Sequence, residues 1–333
     1  LHVALVEAGT PPLRKVCGEF VSETGVDVWR QLTGRGTEGL PRLISAAFRI
    51  VDNSDVPGEA PRVARFPLEP AAWGITRETL DGALLEACGA RGVELFLEAR
   101  AGRPERRDGT WHVPVRGASD GLEAPRVVMA VGRRPVVDES LGWFGMKGET
   151  TARPDGADVE IVLLPDGSYY GLCAVNDDLV SLCALSREDR APWLADPARA
   201  ADTVTPFRGT PRFATGLQTP LGAGLFAVGD ALAAWPPLVG DGITSALLGG
   251  VLLGNSLGVD EALTPQAWRR RWEAHYGKAL RRSLALHAVL RRPALRGGLL
   301  TLAAGRPVVA AGLARAARQK PCACALCRVP APA

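Results

Sequence analysis

A short apolar run that ends in Gly-Asp constrains this chain more than any other segment. Residues Leu225–Ala231 read LFAVGDA, a pattern typical of a buried strand that ends in a tight turn. Residues 236–247 read PPLVGDGITSAL, in which two prolines stiffen a loop and the glycines let a helix begin close to another group. A helix that begins there presents free N–H groups and the positive end of its dipole. The segment therefore predicts a strand, a loop and a helix in direct succession.

This segment resembles the second FAD fingerprint of the glutathione-reductase-type flavoproteins, in its hydroxylase-like version. The resemblance implies that Asp230 accepts hydrogen bonds from the ribityl hydroxyls of FAD and that Gly229 lets the backbone approach the cofactor. It also implies that Pro237 stiffens a loop beside the isoalloxazine ring. Gly240 and Gly242 would start the helix against that ring, where the helix dipole stabilises the negative charge of the reduced flavin. The alternative is a glycine-rich strand–loop–helix unit with no ligand.

The first residues carry a second part of the resemblance. The run HVALVE ends at Glu7, as does the second strand of a βαβ dinucleotide unit, where a carboxylate accepts hydrogen bonds from ribose hydroxyls. The following PLRKVCGE resembles the geranylgeranyl-reductase and aromatic-hydroxylase group of flavoproteins. There Arg14 and Lys15 would offer cations near the adenine-side phosphates, and Cys17 and Gly18 would permit close backbone approach. The alternatives are an ordinary strand followed by an exposed basic loop.

The glycine-rich turn of a dinucleotide-binding unit lies about 20 residues before its acidic residue. Only six residues precede Glu7, so we expect the segment that holds the FAD pyrophosphate to be missing from this sequence. A G-x-G-x-x-G match at Gly34–Gly39 follows a helical pattern, and we interpret it as a helix stop. A second hypothesis follows, in which the chain is a truncated or non-catalytic remnant that acts as a binding protein.

An arginine and the helix behind it extend the resemblance. Residues 24–48 are interpreted as helix, break and helix. After them, apolar residues at helical spacing predict a helix ended by Gly89 and Gly92, with a strand at 93–97. The stretch ITRETLDGALLEACGARGVEL resembles the arginine–helix–strand unit of the same group. This implies that Arg77 helps to frame the flavin; the alternative is a surface arginine that caps a helix.

Two strand patterns at 111–115 and 126–130 are predicted to pair as a hairpin. Gly117–Gly121 between them matches G-x-S-x-G, but a hydrolase nucleophile needs a strand–turn–helix context, so we interpret the match as a glycine-rich loop. The second strand runs into Val131 and Gly132, where related hydroxylases carry an Asp-Gly turn that contributes to FAD and NADPH binding. Val131 in the place of that aspartate argues against hydroxylase-style use of NADPH.

Strand patterns then follow one another closely and predict an antiparallel sheet. They occupy residues 143–147, 159–164, 169–175 and 179–185. This series resembles the substrate-domain sheet that lies over the isoalloxazine ring in the same flavoprotein group. Lys147 faces the flavin in one interpretation; the favoured interpretation is a solvated strand residue.

The expected fold class is α/β, with an FAD/NAD(P)-binding Rossmann-like domain, an inserted antiparallel β-sheet substrate domain and a helical C-terminus. The boundaries predicted for these parts are 1–52, 74–135 and 210–260 for the FAD-binding domain, 53–73 and 136–209 for the substrate domain, and 261–333 for the helical C-terminal region.

Residues 263–319 are helical in pattern and rich in arginine, with few acidic residues. Basic amphipathic helices can make peripheral contact with an anionic membrane surface, whereas the favoured interpretation is a helical cap with a solvated basic face. No uninterrupted apolar run is long enough to predict a membrane span. A net charge of +3 gives no signal for nucleic-acid binding.

The seven cysteines are scattered and odd in number, which favours reduced thiols in a cytoplasmic protein over a disulfide framework. Cys322, Cys324 and Cys327 form a C-x-C-x-x-C pattern near the end of the chain. Zinc requires four ligands, and no histidine lies near these cysteines in the sequence, so we predict no metal site.

The function expected from the resemblance is hydride or electron transfer through FAD to or from a small organic substrate, with NAD(P)H as a transient electron donor. Reductase, monooxygenase and halogenase activities compete. The Tyr-x-Trp-x-Phe-Pro segment of prenyl-chain reductases and the Trp-x-Trp-x-Ile-Pro segment of flavin-dependent halogenases are both absent from the sequence.

Overall fold

An eight-stranded mixed sheet organises this computed structural model. Its description covers residues 2–51, 62–117, 121–136, 142–188, 192–195, 203–204 and 206–330. The strands are β1 (Ala4–Glu7), β2 (Phe20–Ser22), β3 (Arg42–Ile50), β4 (Arg62–Gly74), β5 (Glu94–Leu97), β6 (Glu105–Arg107), β7 (Thr110–Val113), β8 (Leu122–Ala124), β9 (Val128–Met129), β10 (Phe144–Thr150), β11 (Val159–Leu163), β12 (Tyr169–Ala174), β13 (Val180–Ser186), β14 (Arg208–Gly209), β15 (Gly216–Leu217), β16 (Phe226–Ala227) and β17 (Ala233–Ala234). The α-helices are α1 (Glu23–Thr33), α2 (Arg77–Ala90), α3 (Gly242–Val259), α4 (Pro265–Leu290), α5 (Pro293–Gly305) and α6 (Pro307–Ala317).

The large sheet has the strand order β14-β10-β13-β12-β11-β3-β4-β2. The series β10, β13, β12 and β11 is antiparallel throughout, which confirms the predicted antiparallel sheet. β11 then pairs with β3 in parallel, and β3 pairs with β4 antiparallel. The parallel pairing joins residues more than 100 positions apart, and no local pattern in the sequence predicts it.

The prediction of a second helix within residues 24–48 is wrong. The first helix is present as α1, but residues 42–50 form strand β3, whose partners are β4 on one side and β11 on the other. Leucine, arginine and alanine in this stretch have good helix propensity, yet pairing on both sides satisfies the backbone of β3 as a strand. The boundary predicted at residue 52 also separates β3 from β4, which are neighbours in one sheet. The division into domains stays a prediction.

The hairpin predicted from residues 111–115 and 126–130 is wrong as well. β7 pairs with β6 and β8, whereas β9 pairs in parallel with β16, almost 100 residues further along. The other small parallel pair is β1 with β5, from Ala4 opposite Glu94 to Glu7 opposite Leu97. Strands at 4–7 and 94–97 therefore confirm the strand patterns read there, while their partners are decided by the tertiary structure.

The helices follow the sequence patterns closely. Gly34 has a φ of 69° and its N–H bonds to the carbonyl of Arg30, so the G-x-G-x-x-G match ends α1 and does not open a helix. α2 begins after Thr76, whose side chain accepts a hydrogen bond from the backbone N–H of Thr79. The C-terminal helices α4, α5 and α6 confirm the predicted helical region, and α5 and α6 meet at 119° around Arg306.

α3 is long and apolar enough to cross a membrane, with a mean hydropathy of 1.4, which corrects the expectation that no such run exists. The bent pair α5–α6 meets the same criteria when taken together. Forty-four per cent of α3 is buried inside the protein. α3 lies in the main hydrophobic core, together with residues of α4 and of the eight-stranded sheet.

Candidate functional site

An apolar cavity lies between the large sheet, the C-terminal helices and the loop that precedes α3. The sheet contributes small and aromatic side chains such as Ala46, Phe66 and Tyr169. The helices α4, α5 and α6 contribute aliphatic side chains, including Leu290 and Leu313. A space with this lining suits an aromatic or otherwise apolar organic molecule, with a few polar groups to orient it.

Five residues predicted to bind a cofactor line this cavity: Cys17, Gly18, Pro237, Gly240 and Gly242. Gly240 has a φ of 69°, and an added Cβ would lie 2.6 Å from the Phe20 ring, so only glycine fits there. Gly242 is the first residue of α3, and a Cβ added to it would meet no atom within 4 Å. The sequence is thus correct about the helix start, and there is open space beside it.

The amino end of α3 is formed around a buried carboxylate. Asp241 is 1% exposed and makes no side-chain capping hydrogen bond to the helix. Its carboxylate instead accepts a hydrogen bond from the backbone N–H of Gln319, and Ser22 Oγ lies 3.4 Å from it. The first-turn N–H groups of α3 have no partner within the helix and are not bonded by its N-cap side chain. Burial raises the pKa of Asp241 to about 6, although the Gln319 bond and the charge of Arg318 act in the opposite direction.

A buried ion pair stands in the wall of the cavity. Glu19 is 3% exposed and forms an ion pair with Lys147 of β10. The same carboxylate accepts a hydrogen bond from the backbone N–H of Arg77 at 3.0 Å. Glu19 has a φ of 57°, an uncommon conformation for a residue other than glycine. The favoured expectation of a solvated Lys147 is therefore wrong, because β10 turns this side chain inward, where the carboxylate of Glu19 compensates its charge.

Arg133 connects the cavity to the predicted ribityl-binding aspartate. Its Nε donates to Asp230 Oδ2 at 3.0 Å, and its guanidinium lies 4.3 Å from the centre of the Phe213 ring. Gly229 begins the turn that carries Asp230, with a φ of 57°. Both residues of the Gly-Asp pair lie next to β16, as the sequence predicts, and Asp230 reaches the cavity through Arg133.

Three more predicted residues, Glu7, Lys15 and Arg77, form a polar cluster with Asp81 at the carboxyl end of β1. Lys15 Nζ lies 3.4 Å from Glu7 and 3.4 Å from Asp81, and Arg77 forms a bidentate ion pair with Asp81. Burial lowers the pKa of Arg77, but its attraction to Cys17 and Asp81 outweighs this effect and leaves that pKa raised. The cluster therefore adjoins the cavity at Cys17.

Arg14 does not join either group. It forms an exposed ion pair with Glu78, which is the alternative expected for a residue of a basic loop. Residues 53–61 of the predicted substrate domain and Ser119 of the G-x-S-x-G match lie outside the described residues. Gly117 and Gly121 lie between β7 and β8 with positive φ angles, as expected for a loop that connects strands.

Sequence reasoning missed several residues of the site. Glu19 and Asp241 are adjacent to predicted residues, and Arg133 follows Gly132, but none of the three is among the predicted site residues. Glu19 is the one charged residue in the otherwise apolar run of residues 16–21, and this is a signal that could have identified it. No local signal joins Arg133 to Asp230, because 97 residues separate them.

Another constellation lies outside the cavity. His275 of α4, Cys322, Cys324 and Cys327 place one nitrogen and three sulfur atoms within 4.8 Å of one another. The sequence offers no histidine near these cysteines, and that was the reason to predict no metal site. The fold supplies the missing side chain across 47 residues of sequence and removes that reason.

No protein-family model matches this chain, and no curated protein matches it. Solved structures match it over most of its length. A triple mutant of the flavin-dependent brominase Bmp2 has a TM-score of 0.72 at 13% identity, covering 94% of this chain and 91% of that one. PqsL of P. aeruginosa, in complex with 2-aminobenzoylacetate, has a TM-score of 0.63 at 16% identity and coverages of 94% and 92%. CmlS, a flavin-dependent halogenase, has a TM-score of 0.63 at 16% identity and coverages of 87% and 60%.

Identities this low establish the fold alone. The chain has the mixed α/β fold of FAD-binding halogenases, with a helical C-terminal region. None of these three structures is described as a geranylgeranyl reductase, so that finer resemblance stays a prediction.

Proposed function

We propose that this chain is an FAD-dependent oxidoreductase that acts on a small, largely apolar organic molecule. The observation that carries the proposal is the amino end of α3, where Gly240 and Gly242 line the apolar cavity. The fold shared with a flavin-dependent brominase and a flavin-dependent halogenase supports the same class of chemistry at a coarse level. When bound, FAD would supply hydride or electron transfer; the protein supplies position and electrostatics.

The residues at the start of α3 fit the ring of a flavin. Gly242 has no side chain, and open space lies beside it, so a planar ring can approach the helix end closely. The first-turn N–H groups, which have no partner within the helix, and the helix dipole favour negative charge at that point. Burial in an apolar cavity strengthens these interactions, because water does not screen them there.

Other residues fit the remaining parts of FAD. Asp230 is held by Arg133 through one carboxylate oxygen and has the second oxygen to accept a hydrogen bond from a ribityl hydroxyl. Glu7 is partly exposed at the end of β1, where a ribose hydroxyl would reach it. Gly34–Gly39, which matches a phosphate-binding loop in sequence, ends α1 and does not fit the pyrophosphate. The group that holds the pyrophosphate is therefore not among the residues assigned here.

The substrate would lie in the cavity, between the amino end of α3 and the large sheet. Phe66, Tyr169 and Trp235 line this space and would exclude water from an aromatic or aliphatic molecule. Glu19, which is paired with Lys147, lines the cavity together with Arg133 and Arg318, and these charged groups would orient any polar substituent. NAD(P)H is the electron donor to be tested. An activity assay with this donor, with and without oxygen, would distinguish a reductase from a monooxygenase.

Flavin binding tests the proposal directly. The purified chain, and the same chain with its upstream coding sequence, are loaded with FAD, and visible absorbance and bound flavin per chain are measured. We expect bound flavin in at least one of the two. If neither binds flavin, the proposal is wrong.

A pair of matched variants locates the ring. Gly242→Val adds a side chain to open space at the start of α3, and we expect it to weaken flavin binding at least about tenfold, or about 1.4 kcal/mol. Gly254→Val makes the same change on the exposed side of the same helix, where a Cβ also meets nothing within 4 Å. Because valine has a better helix propensity than glycine, this change should not destabilise the helix, and it should leave flavin binding unchanged. If the two variants bind flavin with equal affinity, the flavin ring does not lie at the amino end of α3.

A further inference from the structure

Three cysteines near the end of the chain and one histidine of α4 meet in a compact group. Cys324 Sγ lies 3.3 Å from Cys327 Sγ and 3.5 Å from His275 Nε2. The four potential ligand atoms, including Cys322 Sγ, all lie within 4.8 Å of one another. In a tetrahedral zinc site, metal–ligand bonds of about 2.1–2.3 Å place the ligand atoms about 3.5–3.8 Å apart. The four side chains are thus close to the dimensions of such a site.

The histidine is oriented for metal binding. His275 Nδ1 lies 2.7 Å from the backbone carbonyl oxygen of Arg271, one turn earlier in α4. A carbonyl oxygen only accepts, so Nδ1 carries the proton, and the lone pair of Nε2 is directed towards the cysteines. A histidine that ligates a metal typically donates its other ring N–H to a carbonyl or carboxylate in this way.

The sulfur atoms also have the surroundings of metal-bound thiolates. The backbone N–H of Cys324 points to Cys322 Sγ at 3.4 Å, and the Tyr276 hydroxyl lies 3.6 Å from Cys327 Sγ. Such N–H and O–H donors stabilise thiolate charge. Arg318, Lys320 and Arg328 flank the motif in the sequence and offset the single negative charge of a Zn²⁺ ion bound by three thiolates and a neutral imidazole.

The backbone that carries the cysteines is held in place by the rest of the protein. The Asn255 side chain of α3 donates to the carbonyl oxygens of Leu326 and Arg328, at 2.9 and 2.8 Å. A short 3₁₀ turn, Ala325–Cys327, sets the spacing of the last two cysteines. Cys327 is buried, and none of the seven cysteines forms a disulfide.

We propose that His275, Cys322, Cys324 and Cys327 bind one zinc ion in a closed, structural site. All four tetrahedral positions are filled by protein, which leaves none for water or substrate and distinguishes the site from a catalytic one. Binding releases the three thiol protons to solvent. The proposal does not depend on flavin binding.

The ion would fasten the C-terminal tail across the cavity. The tail is the segment 318–329, which links α6 to the cysteines. Its Arg318 lines the cavity and lies 5.0 Å from the centre of the Phe20 ring, and the N–H of Gln319 bonds to Asp241 at the start of α3. By binding His275 of α4 and the three cysteines, zinc would cross-link α4 to this tail. Loss of the metal should therefore release the tail from the amino end of α3.

Metal content is the first test. The tag-free protein is purified without chelator, and zinc and iron are measured together with free thiols in denaturant. We expect about one zinc per chain and seven free thiols after the metal is removed with EDTA. A metal-free protein with seven thiols, a protein with five thiols because two cysteines have formed a disulfide, or iron in place of zinc would each overturn the proposal.

Variants and cobalt replacement make the test specific to these residues. Cys324→Ser should lose the zinc, whereas Cys88→Ser, a control on α2 outside the group, should keep it. Replacement of zinc by Co²⁺ in the unmutated protein should give the intense visible bands of a tetrahedral cobalt thiolate site. Because this measurement uses the unmutated protein, it does not depend on whether a variant folds. Removal of the metal should also speed trypsin cleavage after Arg318. Zinc retained in Cys324→Ser, weak octahedral cobalt bands, or unchanged cleavage would contradict the proposal.

Discussion

Two groups of ion pairs lie on either side of Cys17. Their comparison shows how burial changes the contribution of an ion pair to stability. On the inner side, Glu19 and Lys147 have side chains that are 4% and 12% exposed, and they pair in the wall of the cavity. On the outer side, Lys15 is 41% exposed and shares Glu7 and Asp81. Water solvates the outer lysine whether or not it is paired, while the inner charges depend on each other. We therefore expect the inner pair to matter for stability and the outer cluster mainly for a ligand.

The largest effect should come from breaking the inner pair. Lys147→Met leaves Glu19 as a buried carboxylate without its cation, which should lower the free energy of unfolding by about 3 kcal/mol. The measurement is urea denaturation of the two proteins at pH 7. Lys278→Met, at an exposed position of α4, is the control and should change stability by less than about 0.5 kcal/mol.

A second substitution sharpens the result. Lys147→Met combined with Glu19→Gln removes both charges, so much of the lost stability should return, because no charge is left buried alone. A double variant as unstable as the sum of its parts would mean that packing, and not the ion pair, is the cause.

The next largest effect on stability should come from the buried carboxylate of Asp241. Its pKa is raised to about 6, above about 3.9 for an unfolded aspartate, so the folded state binds the proton more tightly. Its contribution to stability is therefore fully present below about pH 4 and is lost as the pH rises through 6. Asp241→Asn imitates the protonated form and should raise the free energy of unfolding at pH 7.5, by at most about 3 kcal/mol, with little change at pH 4.

Thermal or urea unfolding at the two pH values tests this sign. Asp27→Asn, at an exposed position of α1, is the control and should show no such difference. A variant that is less stable than the parent protein at pH 7.5 would show that the carboxylate is stabilised by Gln319 and Arg318 more than burial opposes it.

The smallest effect should come from the outer cluster. Lys15→Ala removes one half-exposed cation from two carboxylates, and we expect a loss of less than about 1 kcal/mol. Near 1 M salt, where the Debye length is about 3 Å, this loss should shrink further. A loss equal to that of Lys147→Met would contradict the contrast between the two groups.

Several elements could be predicted because they are encoded locally. The start of α3 at Gly242, the end of α1 at Gly34, and the strands β10 to β13 follow from glycine positions and from apolar periodicity. Of the predicted cofactor-binding residues, Cys17, Gly18, Pro237, Gly240 and Gly242 do meet around one cavity. The resemblance to known flavoproteins, more than periodicity, is what selected them.

The errors concern partners distant in sequence. Residues 42–50 have an ambiguous local pattern, and the pairing of β3 with β11, over 100 residues away, makes them a strand. Lys147 has the pattern of a solvated residue until Glu19, 128 positions earlier, is placed beside it. In each case a non-local contact overrides the local preference.

The sequence by itself determined the succession of strand, loop and helix that builds the amino end of α3, because turn chemistry and apolar spacing act over a few residues. Only the tertiary structure decided which side chains that end meets: Arg133 beside Asp230, Gln319 on Asp241, and His275 beside the three cysteines. Those contacts form when the chain folds onto itself, since burial makes charged groups seek partners wherever the fold provides them.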